Sequence, residues 1–425
     1  METSWIIIIT LSIALVISII SLLFLILKIY VQSLKGICKT DRHLVGKVVI
    51  VTGANCGLGY ATALDLAERG ARVIITTIDD TLGIEARDRL IAESGNKDVH
   101  YYYLDLSSFD SVRQFADVIL KTETQLNVLI NNAGVFFSKN VKTKDGILLG
   151  LQINYFGPFL LTNLLLPLLK SSAPSRIVNV ASSMHKGAIH FEDIVMEKAS
   201  FSSPSVYKTS KLYTVTITVE MARRLKGTGV TVNCVHPGMV KTQIALVHKN
   251  YNRIFNLISP LMMHFIKTPE EGAQTAIYLA VSPEVDDVTG CYFSDCRVEN
   301  TISSIQDHKV GDTQIGRANQ PNSILGKIYN WIITSPLVKV VMKHFVKTQW
   351  EGVQTAIYLA VSSRIDDVSG FYFCDCRITE TNDTVQNKDV GEQLWRISEE
   401  IVQLKRYVFY GKFQINNKLL YIICT

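Results

Sequence analysis

The segment GKVVIVTGANCGLGYATALDLAERGARVIITT, residues 46–77, constrains this chain more than any other. Lys47 to Thr52 is a β-branched apolar run, suited to a strand buried on both faces of a parallel sheet. Residues 57–69 then place Leu58, Ala61, Leu64, Leu66 and Ala67 at helical spacing, and Val73 to Thr77 reads as a second buried strand. Gly53, Gly57 and Gly59 occupy the turn between strand and helix. Such a turn lets backbone N–H groups approach a pyrophosphate, and the helix N-terminus favours its charge. A glycine cluster alone also serves ordinary tight turns. The strand–turn–helix–strand setting is what points to a dinucleotide.

The alternation continues. Residues 99–106, 128–134, 176–183 and 230–238 read as strands, and 109–121, 144–170 and 205–226 as helices. This predicts an α/β fold, a doubly wound parallel Rossmann sheet of about seven strands. Ligands of such sheets sit at the carboxyl ends of strands, where Asp105, Asn131, Ser182 and His236-Pro237 fall.

In YKTSK, Tyr207 and Lys211 share one helix face at i and i+4. A phenol titrates near 10, and a neighbouring ammonium favours phenolate, bringing proton exchange with an alcohol or carbonyl within reach. Taken alone, the pair also suits a solvated surface. Ser182, ending a strand, is placed to bond a substrate oxygen. Asn154 lies in an apolar helix, where it is either functional or simply a satisfied helix asparagine.

TGANCGLG (52–59), DL (105–106), NNAG (131–134), Asn154, VNVASS (178–183), YKTSK (207–211) and HPG (236–238) occur in the order of the short-chain dehydrogenase/reductase family, which the chain resembles over about 46–300. FLLTNLLLPLLKSSAPSRIVNVASS and ARRLKGTGVTVNCVHPG resemble its membrane-anchored retinol dehydrogenase branch. The resemblance implies Tyr207 as general acid/base and Lys211 as its modulator, also binding the nicotinamide ribose. It implies Ser182 on the substrate oxygen and Asn154 holding a relay water. It also implies a cofactor site of Gly53, Asn55, Cys56, Gly57, Leu58, Gly59, Asp105, Leu106, Asn131, Ala133, Gly134, Tyr207, Lys211, Pro237 and Gly238. The cofactor is then NAD(P), and the family leans toward NADP. Residues 76–79 do not share that lean: Thr76-Thr77-Ile78 stands where the branch carries a stretch ending in Arg, and Asp79 is either a ribose ligand or a solvated loop residue. Ala181 replaces a usual Ser. Pro158 replaces a usual His and should kink its helix beside Asn154.

Trp5 to Leu27 carries no charge over 23 residues, a helix of ~34 Å against a ~30 Å hydrocarbon core. Lys28, Lys35, Lys39, Arg42 and Lys47 follow it, against Glu2 alone before, so the positive-inside rule places the remainder in the cytosol. The resemblance makes this a single-pass endoplasmic-reticulum membrane protein. The sequon at Asn382 should then be unglycosylated. A net charge of +5 without a basic run argues against nucleic acid, and no His or Cys spacing suggests a metal. Residues 239–267 are apolar, with Leu257, Ile258, Leu261, Met262, Met263 and Phe265 either capping a lipophilic small-molecule substrate or packing on the core. Retinol, steroid and polyprenol alcohols all qualify as substrates. The reading from another class is a non-catalytic relative that binds at a membrane or lipid surface.

Finally, EGAQTAIYLAVS at 271–282 returns as EGVQTAIYLAVS at 351–362, and the register shift of 80 extends across 264–311. Each copy predicts a helix and then a strand, and the first, with Thr268, Pro269 and Glu270-Glu271 at its start, is expected to complete the sheet. Related enzymes often use this unit as a subunit interface, so a homo-oligomer is open. The expected organisation is an anchor at 5–27, a basic linker at 28–45 and a catalytic domain at 46–311. A linker at 312–327, the duplicated unit at 328–404 and an atypical tail at 405–425 follow.

Overall fold

The computed structural model describes residues 35–136, 140–185, 187–198, 202–238, 240, 266–294 and 387–404, with scattered helical positions between 11 and 29 and short strand pairs within 373–378 and 414–419. The substrate segment 241–265, the linker 312–327, the second copy's helix and Asn382 lie outside the described residues.

Seven parallel strands form one sheet in the order β3-β2-β1-β4-β5-β6-β7. They are β1 Val48–Thr52, β2 Arg72–Thr77, β3 Val99–Tyr103, β4 Val128–Asn131, β5 Ser175–Val180, β6 Val230–Val235 and β7 Tyr292–Phe293. The order reverses between β1 and β4, which opens the crevice where such sheets bind ligands. Period-two alternation splits the core between two faces. Val49 and Val51 pack with Ala63 and Leu66 of α1 (Gly57–Glu68), whereas Val48 and Ile50 face Phe115 and Ile119 of α3 (Phe109–Thr122). Between these helices in sequence lies α2 (Asp80–Ser94).

The helix expected from 144 starts only at Leu149. Gly146, at φ +81°, turns the chain, and Thr143 N–H reaches the Ile147 carbonyl at 2.8 Å. Pro158 is accommodated by a five-residue π-helical turn, Gln152–Phe156, ahead of α4 (Gly157–Ser171). Gly157 N–H bonds the Gln152 carbonyl, and Pro158 has no N–H to give the Asn154 carbonyl.

The first copy supplies both α6 (Pro269–Val281) and β7, following α5 (Ser203–Arg224). Thr268 and Glu271 close a capping box on α6. Packing explains why the second copy fits less well. Ala273 and Cys291 are fully buried, and the second copy places Val353 and Phe371 at those positions, an overpacking of about 1–3 kcal/mol at each. Glu284, which accepts from Tyr278 Oη at 2.8 Å, becomes Arg364. In the second copy, β8 (Phe373–Cys374) pairs antiparallel with β9 (Arg377–Ile378), outside the main sheet.

The basic linker is strapped to α6 and the turn after it. Lys35 Nζ meets Glu271 at 2.6 Å, Cys38 N–H meets Gln274 Oε1 at 3.0 Å, and Arg42 meets Asp286 at 2.7 Å.

The helix α7 (Lys388–Ile401) belongs to the main core, although the sequence reading set it beyond a linker, in the duplicated unit. Its apolar stripe explains the seat. Leu394 and Trp395 are buried, with Trp395 edge-on to Phe159 at 5.2 Å and beneath the Arg224 guanidinium at 4.3 Å. Ser398 Oγ bonds Tyr155 Oη at 2.7 Å. Trp395→Ala is therefore expected to destabilise the domain by about 3–5 kcal/mol, measured as the loss in urea unfolding free energy.

Candidate active site

The glycine turn is built so that backbone, not side chains, lines it. Gly53 (φ +63°) and Gly57 (φ +60°) take left-handed conformations, and a Cβ on Gly59 would sit 2.4 Å from the Gly53 carbonyl and from Asn132 Nδ2. Asn132 locks this turn to the end of β4, donating to the Thr52 and Gly53 carbonyls at 2.8 and 3.1 Å. The sequence reading passed over Asn132 because its role depends on a strand pairing 80 residues away in the chain. Cys56, the N-cap of α1, makes no side-chain cap bond, so nothing on its side chain takes up the first N–H groups of that 12-residue helix. Asn131 donates to Thr162 Oγ1 and Asn179 Oδ1 at 2.9 and 2.8 Å, and its own Oδ1 is buried without a partner. A tight turn with no room for a Cβ on Gly53 or Gly59, leading into a helix N-terminus without a side-chain cap, fits a dinucleotide pyrophosphate.

The other expected cofactor residues divide. Asn55 and Leu58 lie in the turn and at the start of α1, Ala133 and Gly134 follow β4, and Pro237-Gly238 follow β6, with Gly238 at φ +85°. All lie along the carboxyl ends of the strands. Asp105 turns its carboxylate to Ser107, accepting from N–H at 2.8 Å and from Oγ at 2.6 Å, while Leu106 is buried in the core beside Gly157. Asp79, left open between ribose ligand and solvated loop, caps α2 by accepting from Leu82 N–H at 2.9 Å. Ile78 stands 66% exposed at the end of β2. The Arg89 guanidinium lies 4.2 Å over the Tyr60 ring, one turn of α1 beyond Cys56.

The four catalytic candidates come together. Tyr207 and Lys211 are on the first turns of α5, and Ser182 lies just past β5. Lys211 is 4% exposed and donates to the Val180 carbonyl at 2.7 Å. Its Nζ stands 5.5 Å from the Tyr207 ring centroid. Ser182 is 7% exposed, and its side chain acts on the Tyr207 phenol to favour the ionised form, while Phe136 meets that ring edge-on at 4.7 Å. A Cβ on Gly134 would lie 3.3 Å from Asn154 Oδ1 and 3.7 Å from Lys211 Nζ, so glycine there makes room for both. Asn154 is satisfied by Val135, accepting from its N–H and donating to its carbonyl at 2.8 Å each, and by Ser210 Oγ at 3.1 Å.

The electrostatics differ from the simple expectation that Lys211 lowers the phenol. Burial pushes Tyr207 above its usual value, and the group opposing this is Ser182. Burial also draws Lys211 down to about 8, so the ammonium is itself poorly solvated. The arrangement presents a half-buried phenol with a buried hydroxyl and a buried amine beside the glycine cradle, which suits proton exchange with an alcohol or carbonyl oxygen.

Residues 47–251 match the short chain dehydrogenase family. Human Retinol dehydrogenase 14 is 46% identical over 282 residues, 62% of this chain and 83% of that protein. Mouse Retinol dehydrogenase 11 is 45% identical, with 62% and 82% covered, and human Retinol dehydrogenase 13 is 40% identical, with 67% and 86% covered. A solved structure of an uncharacterized protein from Mycobacterium Paratuberculosis shares the fold, with a TM-score of 0.54 at 24% identity over 87% of this chain and 98% of that one.

Proposed function

The chain belongs to the short-chain dehydrogenase family, in its retinol dehydrogenase branch, and on that premise we propose that it interconverts a retinol-like lipophilic alcohol and its aldehyde with Tyr207 as acid/base. Membership makes it an NAD(P)-dependent oxidoreductase. The observation that supports the mechanism is the half-buried Tyr207 ring lying against Lys211, with the buried Ser182 hydroxyl acting on its phenol.

Ser182 and Tyr207 together hold the substrate oxygen. Tyr207 gives that oxygen its proton in reduction and takes it in oxidation. A bound nicotinamide supplies or accepts the hydride. Lys211, anchored on the Val180 carbonyl, keeps a cation beside the phenol and reaches toward the cofactor ribose. Asn154 fixes the chain at Val135 with its amide, and its main-chain carbonyl, which receives nothing from Pro158, accepts a water that relays the proton. Gly53, Gly57, Gly59 and the N-terminus of α1 hold the phosphates. Of the two cofactors we place NADP first. The Asp79 carboxylate is engaged in capping α2, and Arg89, on the Tyr60 ring, is the cation whose charge reaches Cys56 in the turn.

The described positions between residues 11 and 29 are helical, and Leu11, Leu15, Leu22 and Ile29 are exposed there, which supports a membrane anchor. The strap from Lys35 to Arg42 then holds the cytosolic domain close to an endoplasmic-reticulum bilayer, where a retinoid partitions. The full-length protein in microsomal membranes, given all-trans-retinal and NADPH, is expected to form retinol, and faster than with NADH. Absence of turnover with either cofactor, in either direction, would overturn the reading.

A further inference from the structure

We propose that His185 is a positioning residue that sets the Ser182 hydroxyl against the Tyr207 phenol. This rests on Tyr207 as the acid/base. Sheet pairing cannot do the positioning. β5 ends at Val180, and the next main-chain anchor is Ala181 N–H on the Val235 carbonyl at 2.7 Å. Beyond that point the chain turns back on itself. Ser182 Oγ accepts from Met184 N–H at 3.2 Å. The Ser182 carbonyl receives two bonds from one residue: His185 N–H at 3.3 Å and His185 Nδ1 at 2.6 Å.

Two donors on one carbonyl fix the Ser182 peptide plane, and with it the direction of the Ser182 Cα–Cβ bond. The acceptor is a carbonyl, so Nδ1 of His185 must carry a proton. The ring is 2% exposed, which holds it in that orientation. Around it, His236 comes from the loop after β6 and Lys267 from the segment before α6, and both are buried. Burial first, then the nearby charges of Lys267 and His185, holds His236 well below the usual histidine range, so it stays neutral. The groups facing Tyr207 are Ser182 from the end of β5, Lys211 from its own helix and the Phe136 ring from the segment after β4. The Ser182 side chain is the group that favours the ionised phenol, so any loss of its placement by His185 should appear in the pH at which Tyr207 ionises.

The test is the pH profile of alcohol oxidation, which rises until the phenol is ionised. Ser182→Ala is expected to move that ionisation up by about one pH unit, the size of a hydrogen bond to a charged group. His185→Ala should reproduce the shift, and the Ser182→Ala/His185→Ala double variant should shift no further than either single one. His185→Asn puts an amide nitrogen where Nδ1 stands and should restore the wild-type profile. His185→Gln puts it where Nε2 stands and should not. A purely structural role would lower the unfolding midpoint and leave the ionisation in place. An unshifted His185→Ala profile, or additive shifts in the double variant, overturns the proposal. If His185→Ala does not fold, identical Asn and Gln profiles overturn it instead. Unchanged activity in Tyr207→Phe would sink the acid/base reading itself, separately from His185.

Discussion

Tyr207→Phe is expected to lower kcat/KM for retinal by about a thousandfold while cofactor binding stays within about twofold. The substitution keeps the ring and its edge contact with Phe136 and removes only the hydroxyl. What disappears is the proposed proton donor, and positioned acid–base groups contribute about 10²–10⁴ in rate. The glycine cradle lies on another element, so the binding of NADPH, followed by its fluorescence, should be spared. Loss of binding and turnover together would mean that Tyr207 shapes the cofactor site rather than moving a proton.

Lys211→Met is expected to abolish turnover and to change how stability depends on pH. The amine is buried and drawn down to about 8 from an ordinary 10.5. The unfolded chain therefore holds that proton more tightly, and the folded state carries a penalty that is full below pH 8. The penalty fades as pH rises from 8 toward 10.5, so stability increases with pH across that window. Between pH 7.5 and 9.5 the wild type should gain about 2 kcal/mol relative to Lys211→Met. The Val180 carbonyl loses its partner at both pH values, so that cost cancels in the comparison. Urea unfolding of both proteins at the two pH values measures it. Parallel behaviour would show that Lys211 is better solvated than its burial implies.

The frame of this protein was readable from residue patterns because those patterns are local. Lys47 to Thr52 could be placed as a central strand from its β-branched run alone, and Tyr207 and Lys211 as one face from their spacing. What escaped depends on contacts between distant segments. Asn132 matters because β4 lies beside β1, and His185 because the chain folds back after β5. Residues 391–404 resemble the family's usual terminal helix although they follow the second copy, and only the folded core shows Trp395 seated on Phe159 and Arg224. Pro158 was expected to kink its helix. The π turn just ahead of Pro158 is a choice among nearly equal helix types that residue identity alone does not dictate. The balance at Tyr207 escaped for a different reason. Burial sets its direction, and burial is a property of the folded whole.

The repeat illustrates both sides. Its sequence predicts one helix and strand twice, and the cap at Thr268 marks the first copy as the better start. The stronger argument needed the core. Val353 and Phe371 would have to enter spaces that Ala273 and Cys291 fill completely.

The central claim is that Tyr207, held by Ser182 beside Lys211, moves the proton of a hydride transfer between nicotinamide and a retinoid. The direct measurement uses NADPH with both hydrogens at nicotinamide C4 replaced by deuterium and the full-length protein in membranes with all-trans-retinal. The wild type should yield retinol deuterated at its carbinol carbon, and Tyr207→Phe about a thousandfold less under the same conditions. Unlabelled product from the wild type, or equal label from both proteins, would contradict it.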